Sequence, residues 1–448
     1  MRLIAALLAT AGLIAPGVVA DTIDWKDAQA VAEAAIRSHP SLARVEAEKR
    51  AAEAAAAVAG ARPNPMLMAG VENLQVDLSR DAMMTMVVIG ASQTFQHPAR
   101  RQMLRGAARL EVDRVALEAK SLREELRRDA LFLWYDIAAS DGILQTLREV
   151  AAAQDALTAA TRARYEAGSA IQADVARAQL QRSEIDHQII TESGKRRAAA
   201  ARLLAMMALP QTTEIPPLQL PHTTSKQEIT DSTDIPDTHP ALAAVQTQIG
   251  RLEREVRLAG LSSRPDVTVD FLYGLRGEGE SMEAGAAAQK DTFTVMAKVE
   301  LPVRRKALIE PRIRQAIALR DAAQQDVERL RRALLSDMAA ARERHDEVNR
   351  QIEFHEQVLV PQSRMAFEST RAAYESGKAT LEAALATEAA LIRLESDYHL
   401  FLAQHIKAIV DFEAIRDGAR SGAIGGSAPV TASTAGSSQT SAGSMGMR

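Results

Sequence analysis

The sequence predicts a mainly α-helical protein with a smaller β portion, built as one architecture written twice. A first observation is that Thr161–Ala170, TRARYEAGSA, returns as Thr370–Ala379, TRAAYESGKA, with seven of ten positions identical. A second is that other landmarks return in the same order. His39-Pro40-Ser41-Leu42-Ala43 comes back as His239-Pro240-Ala241-Leu242-Ala243. Ala59-Gly60 with Arg62-Pro63 comes back as Ala259-Gly260 with Arg264-Pro265, and Pro98-Ala99-Arg100-Arg101 as Pro302-Val303-Arg304-Arg305. Landmarks that recur in order, roughly 200 residues apart, mark an internal duplication. The third observation is composition: aromatic residues are 3% of the chain and alanine is abundant, which suits long packed helices better than a thick globular core.

Residues 1–20 carry Arg2, an apolar run from Leu3 to Ile14, and Val18-Val19-Ala20 before Asp21. This is the pattern of a cleaved secretory signal, too short for a spanning helix. With no cysteine in the chain, neither a disulfide framework nor a lipid-bearing N-terminal cysteine is possible. A net charge of −4 gives no reason to expect a nucleic-acid partner. No later stretch reads as a 20-residue apolar helix, so a membrane-crossing portion would have to be built from strands.

The first repeat is expected over residues 21–209. Asp24 is positioned to cap a helix from Trp25 to Arg37, which His39-Pro40 ends because the residue before proline resists helical geometry. A second helix from Ser41 stops at Gly60 ahead of Arg62-Pro63-Asn64-Pro65. A strand hairpin is expected over 66–95, with Leu74, Val76 and Leu78 alternating with Asn73, Gln75 and Asp77. From Pro98 to Glu166 only Asp141-Gly142 interrupts the helical period, giving a rod on the order of 100 Å. Gly168 turns the chain into a return helix that Pro210 stops. Residues 210–238, rich in Pro and Thr, form a linker.

The second repeat, 239–416, has the same parts. Its helix spans 240–260 and its strand hairpin 266–301, followed by a helical hairpin over 303–416 with a kink expected at Pro361 and a turn at Gly377. Here the strands alternate cleanly. Val267, Val269, Phe271, Tyr273 and Leu275 share one face, and Phe293, Val295, Ala297, Val299 and Leu301 share the matching one. An apolar face backed by a polar face over about 10 residues fits a transmembrane barrel strand, although a soluble half-buried hairpin has the same pattern. Residues 417–448 form a low-complexity Gly/Ser/Ala/Thr tail.

Four strands cannot close a barrel and lipid does not tolerate an open sheet edge, so strands of this kind require several copies. Two copies give eight strands and a filled interior; three give twelve and a lumen. The long helices would extend that lumen as a tube.

The stretches RARYEAGSAIQADV (162–175) and RAAYESGKATLEAA (371–384), with Arg202-Leu203-Leu204 through Leu209-Pro210, resemble the outer-membrane efflux protein family, TolC-like, over about residues 22–416. The resemblance implies a homotrimer in the cell outer membrane. Its twelve-stranded β-barrel would take four strands from each chain, and its helical hairpins would form a periplasmic α-barrel. It implies a passive exit duct that works with a periplasmic adaptor (membrane fusion) protein and an inner-membrane pump, the RND type favoured, and no cofactor. By the match, Tyr165, Gly168, Ser169 and Ala170, with Tyr374, Gly377, Lys378 and Ala379, are the tips that meet the adaptor. Against this stand the plainer reading of tight turns, a type I protein secretion or drug duct of the same fold, and a soluble adaptor or coiled-coil scaffold.

A narrower likeness is to the heavy-metal efflux branch, CusC/CzcC-like. It is carried by Arg62-Pro63-Asn64-Pro65-Met66-Leu67, Val71-Glu72-Asn73-Leu74 and Ser92-Gln93, while Pro98-Ala99-Arg100-Arg101 departs from its usual Gly-Lys-Arg. Met66 and Met68 share a strand face, as do Met84 and Met86. Thioethers suit Cu(I), yet methionine is also an apolar filler for lipid- or neighbour-facing packing. Asp174, Glu382 and Glu388, just past the tips, could form an acidic ring that favours cations at a periplasmic entrance, or could be solvated helix charges. His39 and His239 precede prolines at helix breaks and read as structural. His345 and His355 lie outside the i, i+4 spacing of a ligand pair. No G-x-S-x-G, H-E-x-x-H, phosphate loop or cysteine nucleophile is present, so the chain reads as a non-enzyme.

Overall fold

The computed structural model describes residues 23–72, 86–221, 234–276, 291–301 and 303–420. The expected signal, the tips of both strand hairpins, Pro302, residues 222–233 of the linker and the tail from residue 421 lie outside the described residues.

Helix α1 spans Ala28–Ser38 and α2 spans Pro40–Val58. The cap of α1 is Asp27, whose carboxylate accepts from the Gln29 amide at 2.9 Å, and not Asp24. Asp24 instead closes the preceding turn by accepting from the Lys26 amide. Of the two acids before the apolar run, Asp27 is the one with a free helix N–H in reach. His39, before Pro40, puts its Nδ1 on the Ser41 amide, and His97, before Pro98, does the same for Ala99. In both, an imidazole replaces the usual hydroxyl or carboxylate cap. His239, before Pro240, is buried and its Nε2 meets the Ile415 carbonyl at 2.7 Å.

Strands β1 (Met66–Glu72) and β2 (Met86–Phe95) lead into α3, a single 69-residue helix from Pro98 to Glu166 that runs unbroken through Asp141-Gly142. At about 1.5 Å per residue it is on the order of 100 Å long. A Cβ at position 142 would lie 2.6 Å from His399 Nδ1, so the glycine makes room for that side chain. The return helix α4 covers Gln172–Met206.

The second half repeats this with α5 (Pro240–Leu261), β3 (Val267–Arg276) and β4 (Thr292–Val299). Its outgoing rod comprises a π-turn (Arg305–Ile309), α6 (Glu310–Phe354), a second π-turn (His355–Leu359) and α7 (Val360–Glu375). The return helix is α8, Leu381–Asp417. Each π-turn precedes a proline, Pro311 or Pro361, whose ring would strike the carbonyl four residues back in a regular helix. Widening the turn removes that clash, and this is the form taken by the irregularity expected at Pro361.

The strands form one antiparallel sheet in the order β1-β2-β3-β4. Its register places Val87, Leu275 and Ile89, Tyr273 opposite one another, then Phe271 opposite Val295 and Tyr273 opposite Phe293. These apolar side chains share one exposed face. The helices bury their contacts in successive layers. One joins α1, α3, α4 and α8 through Val31, Leu131, Trp134, Leu203 and Val410, and Trp134 Nε1 donates to the Trp25 carbonyl at 2.8 Å. Two layers nearer the tips knit both helical hairpins together: Ile143, Leu147, Ile185, Phe367 and Leu391 in one, Leu157, Ala178, Tyr374, Leu381 and Ala384 in the other.

Candidate functional site

The two helical tips are built alike from the backbone up. Gly168 and Gly377 take φ of +70° and +80°, a region that penalises any Cβ. At the first tip the Ser169 amide reaches back to the Arg164 carbonyl (2.8 Å) and the Gly168 amide to Tyr165 (2.9 Å). At the second, Lys378 reaches Ala373 (2.7 Å) and Gly377 reaches Tyr374 (2.9 Å). Both are paired helix C-terminal closures in which the glycine amide and the next amide satisfy the last free carbonyls. The repeated T-R-A-x-Y-E-x-G-x-A motif is thus a helix stop, with glycine at the one place where only glycine is unstrained.

Around this shared backbone the side chains differ. Gly168, Ser169, Gly377 and Lys378 are exposed, while Ala170 and Ala379 are half-buried. Tyr165 is 45% exposed, whereas Tyr374 is 3% exposed and sits in the seam between the two hairpins. The Tyr374 hydroxyl donates to Thr161 Oγ1 at 2.9 Å. Arg164 donates to the Tyr374 carbonyl at 2.7 Å and lays its guanidinium 4.7 Å from the ring centre.

The three acidic residues past the tips fall into two environments. Asp174 and Glu382 stand in the first turns of α4 and α8, where a negative charge is favoured by the helix dipole. Glu388 is fully buried, with no hydrogen-bond partner at either carboxylate oxygen. Burial pushes its carboxyl up to about 7. It belongs to the packing between the hairpins, and sequence spacing alone gave no sign of this.

On the sheet, the face opposite the apolar one is polar and ordered. Asp270 is buried there, accepting from Ser92 Oγ at 2.5 Å and lying 2.7 Å from Lys298 Nζ, with Thr94 and Thr268 hydroxyls 3.0 Å apart beside it. The register aligns Met66 with Ser92, Ser92 with Asp270, and Asp270 with Met296, so these four side chains form one row on the polar face. Met68 and Met86 share that face, and Met86 Sδ accepts from Thr292 Oγ1 across Gly274. Met84 lies outside the described residues. Among the described residues no group of three or more His, Asp or Glu is arranged to hold a metal ion.

A further pair, not flagged by sequence spacing, lies between α6 and α8: His345 and His405 stack with ring centres 4.6 Å apart. Both are buried, and burial followed by the neighbouring His345 brings His405 down to about 4. His355 packs edge-on against Phe401 and caps nothing but its own helix, bonding the Gln351 carbonyl. The sequence signal that could have found the stacked pair is the buried stripe Met338, Ala341, His345, Val348, Ile352 at helical spacing.

The chain thus joins a sheet with one apolar exposed face to duplicated helical hairpins about 100 Å long. Residues 31–209 match the sequence model of the family described as Outer membrane efflux protein. Solved structures are similar over nearly the whole chain. The outer-membrane channel OprN has a TM-score of 0.76 at 15% identity, covering 88% of this chain and 91% of its own. CusC gives 0.73 at 13%, covering 87% and 92%. The outer membrane protein VceC of Vibrio cholerae gives 0.72 at 16%, covering 87% and 95%. At such identities the likeness is one of fold. No curated protein sequence gives a significant match.

Proposed function

We propose that this chain is one third of a passive exit duct in the outer membrane, serving a tripartite efflux system. The observation that carries this reading is the sheet: an apolar exposed face, with β1 paired only to β2 and β4 only to β3 among the described residues. Unpaired edges are costly in lipid, and the simplest remedy is β4 of one copy pairing with β1 of the next. Three copies close a twelve-stranded barrel with room for a lumen. The polar row of Ser92, Asp270 and Lys298 then faces water inside it, and the apolar row faces lipid.

The helical hairpins carry the lumen into the periplasm, where the tips at Tyr165, Gly168, Ser169, Ala170, Tyr374, Gly377, Lys378 and Ala379 dock the adaptor. Asp174 and Glu382 give the entrance its negative charge. Energy comes from an inner-membrane pump of the RND type, and the duct itself performs no chemistry. Heavy-metal cations are the favoured cargo. Support comes from the CusC-like sequence stretches, the likeness of fold to CusC, and thioethers of Met66, Met68 and Met86 on the lumen side. The chain has no cysteine through which it could be lipidated.

The test is extraction of the outer-membrane fraction in detergent, oligomer mass by light scattering, and reconstitution in planar bilayers. A trimer that conducts ions supports the duct, and a soluble monomer overturns it. Metal sensitivity of a deletion strain, unaccompanied by drug sensitivity, supports the cargo; the reverse pattern overturns the metal assignment alone.

A further inference from the structure

The duplication predicts where two copies of this chain touch, because one of the two kinds of seam in the ring is already visible inside the chain. In that inner seam, helix α3 of the first hairpin packs along α8 of the second. Tyr374 is buried against Thr161 and Arg164, His399 lies against Gly142, and Lys407 pairs with Asp136. The repeat assigns a copy of each partner. Tyr165 holds the motif position of Tyr374, Thr370 that of Thr161, and Ala373 that of Arg164. Ile190, as far beyond Gly168 as His399 is beyond Gly377, copies His399.

Residues that are covered in the inner seam have uncovered copies on the flanks. Tyr165 is 45% exposed and Ile190 is 66% exposed. Tyr165 stands at the end of α3 and Ile190 on α4, at one flank, and Thr370 and Ala373 on α7, at the other. These flanks are the repeat's own equivalents of α8 and α3, and they meet only when a second copy is set beside the first.

We propose that Tyr165 of one copy seats on Thr370 of a second copy, its hydroxyl meeting Oγ1 as Tyr374 meets Thr161. The periplasmic end of the ring therefore alternates two seams. Those within a chain carry the Arg164 contact to the tyrosine ring and carbonyl. Those between chains lack it, because Ala373 stands where the arginine would be. A cation over a tyrosine face is attracted to the ring, so the between-chain seam is the weaker of the two. The inference rests on the trimeric-duct reading and adds the contact by which neighbouring copies recognise each other at the tips.

The cysteine-free chain allows a direct test. A tyrosine hydroxyl lies several ångströms from its own Cβ, whereas a disulfide needs Cβ atoms about 4 Å apart, so a short bismaleimide is the right bridge. The full-length Tyr165→Cys/Thr370→Cys variant, treated in outer-membrane vesicles, is expected to run on a denaturing gel at two and three times the chain mass. The Thr161→Cys/Tyr374→Cys variant is expected to bridge internally and stay at the chain mass. If the first variant also stays at the chain mass while light scattering on the same sample gives a trimer, the seam is wrong and the duct survives. A monomer by light scattering overturns both. Should the double variant fail to accumulate, benzoylphenylalanine introduced at position 165 preserves an aromatic ring. Light-driven links to a second chain support the seam, and links confined to one chain overturn it.

Discussion

The two repeats share a backbone and differ in what surrounds it. Their tips close with the same pair of amide contacts and the same left-handed glycine, yet one tyrosine is buried and the other exposed. Beyond the tips the divergence continues. Gln179 and Glu388 stand equally far past their glycines, the first exposed and the second fully buried without a partner. Farther on, Arg196 and His405 are again equivalent in distance. Arg196 bonds Asp141 at 2.6 Å and the Ile215 carbonyl at 3.0 Å, while His405 stacks on His345. Motif residues that form the turn are kept in both halves, and residues on the packing faces have diverged with the neighbour each face meets.

The largest expected effect comes from making the second repeat resemble the first at Glu388. Its carboxyl is raised from 4.5 to about 7 by burial, so it is neutral when folded at mildly acidic pH and ionises earlier when unfolded. Between these values the native state holds the proton that the unfolded chain has lost, and stability falls as pH rises. Glu388→Gln, which supplies the Gln179 side chain, should stabilise the solubilised protein by on the order of 3 kcal/mol at pH 7 and by almost nothing near pH 4. Denaturant midpoints across that range measure it; a gain independent of pH would mean that Glu388 is not a buried neutral acid.

His405 should show the opposite slope. Lowered from 6.5 to about 4, it is neutral when folded, whereas the unfolded chain takes up a proton below about pH 6.5. Stability contributed by the neutral ring is complete above that pH and is lost as pH falls towards 4. Moving from pH 7 to pH 5 should remove about 2 kcal/mol, and His405→Phe, which keeps a ring against His345, should flatten that loss. The Arg196 site in the first repeat has no histidine to titrate. Hydrogen exchange of α4 and α8 amides at pH 5 should therefore show the second hairpin loosening first.

Much of this architecture was legible in the sequence because helix stops and strand alternation are local. The His-Pro breaks, the glycine and Arg-Pro that end α2 and α5, the tip glycines and the period-two faces of β3 and β4 each act through their own backbone. What escaped was decided between elements. Nothing near Glu388 distinguishes it from Glu382, since only the crossing of the two hairpins buries one and leaves the other in water. Likewise, Met66 and Met68 read as apolar filler for lipid or neighbours until the cross-strand register aligns them with Ser92 and Asp270. Tyr165 and Tyr374 are indistinguishable by motif and separate only when the hairpins pack.

A smaller effect tests whether the tips are equivalent where the sequence says they are. An added Cβ at Gly168 or Gly377 meets nothing within 4 Å, so alanine there costs only the left-handed backbone. Gly168→Ala and Gly377→Ala should each destabilise by about 1 kcal/mol, and by the same amount. Each should weaken adaptor binding if the turn geometry is what the adaptor reads, measured with the purified adaptor by calorimetry. Unequal stability losses would mean that one tip carries a contact that the isolated chain does not reveal.

The smallest effect separates the tyrosines themselves. Tyr374→Phe removes a hydroxyl that donates to Thr161 Oγ1, while Thr161 keeps its own bond to the Leu157 carbonyl at 2.8 Å. One neutral hydrogen bond is worth about 1 kcal/mol, and that is the expected loss. For Tyr165→Phe the two pictures diverge. A hydroxyl that meets only water contributes close to nothing, so an exposed Tyr165 predicts no change. A hydroxyl seated on Thr370 of a second copy predicts the same loss of about 1 kcal/mol, felt in the trimer and absent from the dissociated chain. Dissociation of the trimer across a dilution series, with Tyr165→Phe and Thr370→Val alone and together, resolves it. Equal single effects that do not add when combined mean one shared bond between copies; additive or absent effects mean that Tyr165 faces solvent or the adaptor.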